Sequence, residues 1–211
     1  MLVYLIHVRD PQFYALPAKT RAANGNVRVM GFPPIGIMSL SSVIKQAGHD
    51  CVMFDQADPD TPNSVIVDRI NREQPALVGL SFLSTTSYPY AKMLAREIRA
   101  TNQTVKLAFG GVFASLNAAL VKLQCPEVDF VCRGDGEQLL LDLLVNFENP
   151  QDVASLTWMK DGKVVQNPNR AMERQLDQWP FPDRESLKLD YVESMPLDVP
   201  VVLSMRRFTT M

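Results

Sequence analysis

The stretch "LVGLSFLSTTSYPYAKML", residues 77–94, decides the fold because its periodicity changes once, near the middle. Residues 77–82 form a short apolar run of the kind found in strands that are buried on both faces. The later part has the spacing of a helix, which we expect over about 86–101. A buried strand that leads directly into a helix is typical of a parallel sheet covered by helices on both faces.

The same alternation continues on both sides of this stretch, from residue 1 to about 146. Apolar runs predict five strands, at 2–8, 51–55, 77–82, 105–111 and 129–134. Helical patterns lie at about 34–47, 62–73, 86–101, 113–124 and 136–147. Thr61 is the expected cap of the second helix, and Gly48 is expected to end the first. The sequence therefore predicts an α/β fold, a five-stranded doubly wound parallel sheet with the flavodoxin-like order 2-1-3-4-5.

The pattern changes after residue 147. "SLTWMKDGKVVQN", residues 155–167, predicts a hairpin with an Asp-Gly turn. Residues 176–200 contain several prolines and no sustained period, so they predict a linker laid over the surface. The final residues, 199–211, begin like another strand, and we expect a further domain to follow them. We therefore predict a first domain at 1–147, with a hairpin and a linker at 148–211.

Composition excludes several classes of protein. The 211 residues are 46% hydrophobic and 21% charged with a formal net charge of −2, which is typical of globular chains. Basic residues form no stripe, so no nucleic-acid partner is expected. No apolar run reaches the roughly 18 residues that span a bilayer, and no signal peptide is visible, so we expect a cytoplasmic protein. The three cysteines lack metal-binding spacing and predict buried thiols: Cys51, Cys125 and Cys132.

Candidate binding residues lie in the loops that follow the strands, because ligands of open parallel sheets bind beyond the carboxyl ends of the strands. These loops offer hydroxyls, glycines and a helix N-terminus. Plain tight turns and helix caps remain alternatives for each loop. Neither G-x-G-x-x-G after the first strand nor a triphosphate-binding loop is present, so the loops predict a neutral slot for a flat or rod-like group. The candidates are Ser81, Thr85, Gly110, Gly111, Gly134, Gly136 and Glu137.

Several of these stretches resemble a known family. "GLSFLSTTS" (79–87) is similar to the S-x-L…T element of cobalamin-binding Rossmann-like domains, and "FGGVFAS" (109–115) is similar to their Gly-Gly element. Together with "FPPIGIMSLSSVIKQAGHDCVMFD" (32–55), "CRGDGEQLLLDL" (132–143) and "LDQWPFPDRE" (176–185), they follow the order and spacing of the N-terminal region of cobalamin-dependent radical S-adenosylmethionine enzymes. The resemblance covers about residues 30–185.

The resemblance implies that the nucleotide tail of cobalamin enters the end of the sheet. It implies that Ser81 hydrogen-bonds the benzimidazole, with Leu83 and Thr85 nearby. Gly110 and Gly111 would pass along the tail, and residues 134–137 would border its ribose and phosphate. In the full-length protein it also implies a [4Fe-4S] cluster and S-adenosylmethionine, acting in methyl transfer or in ring closure as in magnesium-protoporphyrin ester cyclases.

Two departures from the family pattern limit these implications. The D-x-H-x-x-G motif is absent, so we expect base-off cobalamin without a histidine ligand to cobalt, and His7 is expected to be packed or hydrogen-bonded. CxxxCxxC is also absent, so the chain alone is expected to bind cobalamin without catalysis, its radical domain being the missing partner. The long loop 8–33, with Arg9, Tyr14, Lys19 and Arg21, is expected either to cover the lower corrin face or touch a substrate, or to be a mobile surface loop.

Two other functional classes use the same sheet order. A signalling receiver needs acidic residues at the ends of the first and third strands and a lysine after the fifth. Here the third strand ends in "LSFLS", and Arg133 follows the fifth, so the receiver is the weaker interpretation. A non-catalytic scaffold is the other alternative, with "WPFPDRE" at 179–185 as the anchor for a partner.

Overall fold

A computed structural model describes residues 1–9, 33–57, 60–171 and 175–187. Most of the loop predicted at 8–33 lies outside these ranges, including Tyr14, Lys19 and Arg21, and so does the run at 199–211. Within the described residues, no helix is both long and apolar enough to cross a membrane.

One sheet of seven strands organises the described chain, in the order 2-1-3-4-5-6-7. The first five strands are parallel neighbours, which confirms the doubly wound arrangement predicted from the sequence. The strands are β1 (Leu2–His7), β2 (Asp50–Asp55), β3 (Leu77–Ser81), β4 (Lys106–Gly110), β5 (Phe130–Cys132), β6 (Leu156–Lys160) and β7 (Lys163–Gln166).

Six α-helices lie between these strands in the described ranges. They are α1 (Ile35–Gln46), α2 (Asn63–Glu73), α3 (Tyr88–Thr101), α4 (Val112–Leu116), α5 (Ala118–Gln124) and α6 (Glu137–Val145). The single helix expected at 113–124 is divided at Asn117, whose side-chain amide donates to the carbonyl of Phe113 at 3.0 Å. The expected Thr61 cap is wrong, because Pro62 occupies the cap position of α2. Gly48 follows the end of α1 with φ +82°, as predicted.

The predicted Asp-Gly hairpin forms, and it extends the main sheet. Asp161 and Gly162 both have positive φ, 49° and 74°, as a type I′ turn requires. Strand β6 then pairs antiparallel with β5, with Thr157 opposite Val131. The hairpin therefore adds two strands to the five of the parallel sheet, and the domain boundary at residue 147 stays a prediction.

Two apolar layers cover the two faces of the sheet. Helices α1 and α6 pack on one face, over alternate strand residues such as Val3, Leu5 and Ala108. Helices α2 to α5 pack on the other face, over Tyr4, Ile6 and neighbouring side chains. Because side chains alternate along a strand, these assignments fix the face of every residue at the strand ends.

The three cysteines are buried and free, as predicted. Burial raises the pKa of Cys51 to about 11 and the pKa values of Cys125 and Cys132 to about 12. These thiols therefore stay protonated at neutral pH and act as small apolar side chains.

The described part of the predicted linker lies along α1 and is fixed through Asp183. Its backbone N–H donates to the carbonyl of Met38 at 3.0 Å, and its carboxylate accepts from Ser41 Oγ at 2.7 Å and Lys45 Nζ at 2.6 Å. Burial opposes ionisation, but hydrogen bonds from Lys45, Ser41 and Ser186 outweigh it and lower the pKa of Asp183 from 3.8 to about 2.

This depressed pKa predicts how the contribution of the linker to stability depends on pH. A carboxyl with a lowered folded-state pKa stabilises the fold fully above its unfolded pKa, and it loses that contribution as the pH falls toward the folded value. The difference in unfolding free energy between the wild type and Asp183→Asn should therefore shrink as the pH falls from about 5 to about 3. Urea unfolding of both proteins at both pH values measures this difference. A difference that does not change with pH would contradict the lowered pKa assigned to Asp183.

Candidate functional site

Four residues form a row across the carboxyl ends of the parallel strands. The strand register places His7 opposite both Asp55 and Ser81, and it places Ser81 opposite Gly110. Each of the four lies two positions after a strand residue that belongs to the apolar layer under α1 and α6 or touches a member of that layer. Because side chains alternate along a strand, all four belong to the face of the sheet that α1 and α6 cover. We call them the strand-end row.

The structure divides the hydroxyl cluster between β3 and α3 into two groups. Ser84 Oγ contacts Thr86 Oγ1 at 2.8 Å and Ser87 Oγ at 3.0 Å, and it accepts the N–H of Ser87 at 3.1 Å, so these three side chains stabilise the turn. By contrast, Ser81 and Thr85 make no side-chain hydrogen bond to any other described residue. Ser81 is half-buried and Thr85 is exposed. These two hydroxyls are therefore the ones available to a ligand.

Neighbouring glycines at the end of β4 have different roles. A Cβ built on Gly110 meets no atom within 4 Å, so an open space lies beside this residue on the α1–α6 face. A Cβ on Gly111 would lie 2.3 Å from the carbonyl oxygen of Phe82, and Gly111 has φ +93° and ψ 177°, a region that only glycine adopts readily. Gly111 is therefore required by the close approach of two loops, and Gly110 leaves room for a ligand.

Ser115 joins the β4 loop to the β5 loop, a contact that sequence reasoning missed. Its hydroxyl donates to the carbonyl of Gly111 at 2.9 Å and accepts the N–H of Gly134 at 3.1 Å. Gly134 is exposed with φ +75°, and a Cβ on it would meet no atom within 4 Å. The only sequence signal was the serine that ends "FGGVFAS".

The β5 loop then packs against α1. A Cβ on Gly136 would lie 2.9 Å from the Cδ2 atom of Leu40, so Gly136 lies close to a side chain of α1 at this point. Glu137, the first residue of α6, accepts a hydrogen bond from Ser39 Oγ at 2.9 Å. The structure thus brings Gly136 and Glu137 to the α1 side of the strand ends, and it uses both of them in contacts between α1 and α6.

An apolar rim lies beyond the row at the same edge of the sheet. Leu83, which follows β3, is 51% exposed, and Val112, which follows Gly111, is 56% exposed. Large apolar side chains at strand ends offer a surface on which a flat ring system can pack. The candidate residue Leu83 is therefore exposed just after the end of β3, outside the row itself.

A hydrogen-bonded pair, His7 and Asp55, completes the row on the β2 side. His7 Nδ1 and Asp55 Oδ1 lie 2.9 Å apart, and the side chains are 23% and 5% exposed. Within the described part of the chain, no group of three or more His, Cys, Asp or Glu residues could hold a metal ion. We call the space beside the row the strand-end cleft, and it is bordered by this hydrogen-bonded pair and by hydroxyl and glycine groups.

Comparisons with known proteins bear on this cleft. The family model described as "B12 binding domain" matches residues 23–144. An uncharacterized methyltransferase of Pyrococcus horikoshii is 29% identical over 185 residues, covering 85% of this chain and 40% of that protein. The anaerobic magnesium-protoporphyrin IX monomethyl ester cyclase of Synechocystis is 27% identical over 149 residues, covering 69% of this chain and 30% of that protein.

A solved structure has the same fold. It is the cobalamin-dependent S-adenosylmethionine radical enzyme OxsB with aqua-cobalamin bound, which superposes with a TM-score of 0.68 at 18% identity. The superposition covers 92% of this chain and 25% of that chain. The chain therefore spans less than half the length of each of these proteins.

Proposed function

The chain belongs to the B12-binding domain family, and from this premise we propose that its strand-end cleft holds cobalamin by the nucleotide tail. The resemblance noted in the sequence is confirmed by the family match and by the cyclase and methyltransferase relatives. The observation that carries the placement is the open space beside Gly110, next to the unpartnered hydroxyl of Ser81.

The residues of the cleft fit a neutral heteroaromatic group. The hydroxyl of Ser81 can donate to a ring nitrogen of the benzimidazole, a bond worth about 1 kcal/mol net. Such a donor satisfies the nitrogen without the larger cost of burying a charge. The backbone of Gly110 has no side chain to exclude the ring, and Thr85 lies at the mouth with a free hydroxyl.

The remaining candidates are proposed to border the rest of the ligand. Leu83 offers an apolar contact to a face of the corrin. Gly134, Gly136 and Glu137 border the ribose and phosphate side, where the N-terminus of α6 offers N–H groups. Gly111 acts indirectly, because its close packing on Phe82 fixes the shape of the β4 loop.

We further propose that cobalamin binds base-off, with no histidine ligand to cobalt. The basis is the absence of D-x-H-x-x-G after β1. When bound, cobalamin supplies the redox and alkyl-transfer chemistry of its cobalt. The residues of this chain bind and orient the cofactor.

The whole protein is proposed to be a radical S-adenosylmethionine enzyme that also uses a [4Fe-4S] cluster. The support is the order of motifs over residues 30–185 and the similarity to a cyclase and a methyltransferase. Residues 1–147 would form the cofactor domain, and residues 148–211 would lead to the radical domain. Methyl transfer and tetrapyrrole ring cyclisation are the reaction classes that these relatives suggest.

A titration of the purified chain with hydroxocobalamin tests the proposal. We expect saturable binding, an absorbance change to the base-off form, and corrinoid that stays with the protein through gel filtration. Absence of retained corrinoid would contradict cobalamin binding, whereas binding with an unchanged base-on spectrum would contradict only the base-off proposal.

A further inference from the structure

The hydrogen bond between His7 and Asp55 leaves one nitrogen of the imidazole without an assigned partner. A carboxylate can only accept a hydrogen bond, so Nδ1 of His7 must carry the proton that it shares with Asp55 at 2.9 Å. The same carboxylate oxygen accepts the backbone N–H of Ala57 at 2.9 Å, which fixes its position. The imidazole is therefore held in one orientation and, when neutral, in one tautomer.

In that tautomer, Nε2 carries a lone pair and can accept a hydrogen bond. No described residue other than Asp55 bonds to the side chain of His7, and Nε2 is not among the buried polar atoms that lack a partner. Nε2 therefore retains access to solvent. Since the side chain is 23% exposed, it is an acceptor at the edge of the cleft.

The position of His7 in the strand-end row directs this acceptor toward the proposed ligand. His7 and Ser81 are cross-strand neighbours at the point where the strand order reverses, between β1 and β3, which is where ligands of such sheets bind. Both lie on the α1–α6 face, and Ser81 stands between His7 and the open space beside Gly110. Ser81 offers a donor there, and His7 offers an acceptor.

Resting on the proposed function, we propose that His7 is a ligand-positioning residue: Asp55 fixes its imidazole so that Nε2 accepts a hydrogen bond from the corrinoid. The donor is an N–H or O–H group of the ligand, and the corrin side-chain amides and the ribose hydroxyl of the tail both supply such groups. The contact is a hydrogen bond to the periphery of the ligand, and it leaves the cobalt without a protein nitrogen.

Nitrogen NMR of protein labelled with ¹⁵N-histidine tests this inference directly, because the chain has two histidines. His49 lies next to Met1, at the opposite edge of the sheet from the row, and serves as the internal control in the same spectrum. We expect His7 to be the Nδ1–H tautomer in the free protein. On saturation with hydroxocobalamin, Nε2 of His7 should shift while both resonances of His49 stay in place.

Two variants add a second readout. His7→Phe should weaken hydroxocobalamin binding about tenfold, and His7→Gln, which retains an acceptor, should stay within about twofold of the wild type. Saturation with cobinamide, which lacks the nucleotide tail, identifies the source: a shift of His7 Nε2 assigns the donor to a corrin amide, and a shift with cobalamin alone assigns it to the tail.

Three results would overturn the inference while leaving cobalamin binding intact. These are an Nε2–H tautomer in the free protein, an Nε2 resonance that stays in place when the corrinoid is bound, and direct coordination of Nε2 to cobalt. Failure of the wild type to bind any corrinoid is a different outcome, because it contradicts the proposed function itself.

Discussion

Replacing Gly111 with alanine is expected to lower the free energy of unfolding by about 3 kcal/mol or more. The new methyl group would lie 2.3 Å from the carbonyl oxygen and 2.9 Å from the nitrogen of Phe82, whose side chain is fully buried. The backbone would also have to keep φ +93° and ψ 177°, which alanine strongly disfavours. For a chain of this size, the melting temperature should fall by about 10 °C.

Gly110→Ala is the matched control, one residue earlier. Its methyl group would enter open space, and Gly110 ends β4 without a positive φ, so stability should change by less than about 1 kcal/mol. Because the methyl group occupies the proposed slot, we expect weaker hydroxocobalamin binding without unfolding. Urea unfolding of both variants measures the two changes in unfolding free energy. Equal losses of stability would contradict the separate roles assigned to the two glycines.

Replacing Ser81 with tryptophan is expected to weaken hydroxocobalamin binding by about 100-fold or more, which corresponds to about 2.7 kcal/mol. The half-buried side chain lies between His7 and Gly110 in the strand-end row, so an indole there would fill the space that the benzimidazole is proposed to occupy. Ser81→Ala removes only the hydroxyl and should cost about 1 kcal/mol, or roughly fivefold in affinity.

Ala100→Trp is the control for the added indole. Ala100 is exposed and lies one residue before the end of α3, which leads into the start of β4 at the opposite edge of the sheet from the strand-end row. The Ala100→Trp variant should bind hydroxocobalamin as the wild type does. If Ser81→Trp keeps its fold by circular dichroism and also keeps wild-type affinity, the cleft described here does not bind the ligand.

Local patterns in the sequence predicted most of the fold. The alternation of apolar runs with helical spacing was sufficient for the order of the five parallel strands, because each crossover helix restricts where the next strand can lie. The Asp-Gly pair predicted the hairpin, because the positive φ angles of these two residues are a local property of the turn. That β6 pairs with β5 depends on the whole sheet, and no local signal indicated it.

The sequence predicted where the candidate site residues lie better than it predicted what each residue contacts. Gly111 was predicted to contact the ligand, whereas the structure gives it a contact with Phe82, which depends on how two strand ends approach each other. The pairing of His7 with Asp55 joins residues 48 positions apart. A signal for it existed, because both are polar residues ending strands that the order 2-1-3 makes neighbours.

The central claim is that the cleft at the strand ends takes the nucleotide tail of the corrinoid. Isothermal titration of the wild-type chain with hydroxocobalamin and with cobinamide tests it most directly, because the two ligands share the corrin and only the first carries the tail. We predict that hydroxocobalamin binds at least about tenfold more tightly, a difference of about 1.4 kcal/mol. Equal affinities for the two ligands would contradict the claim.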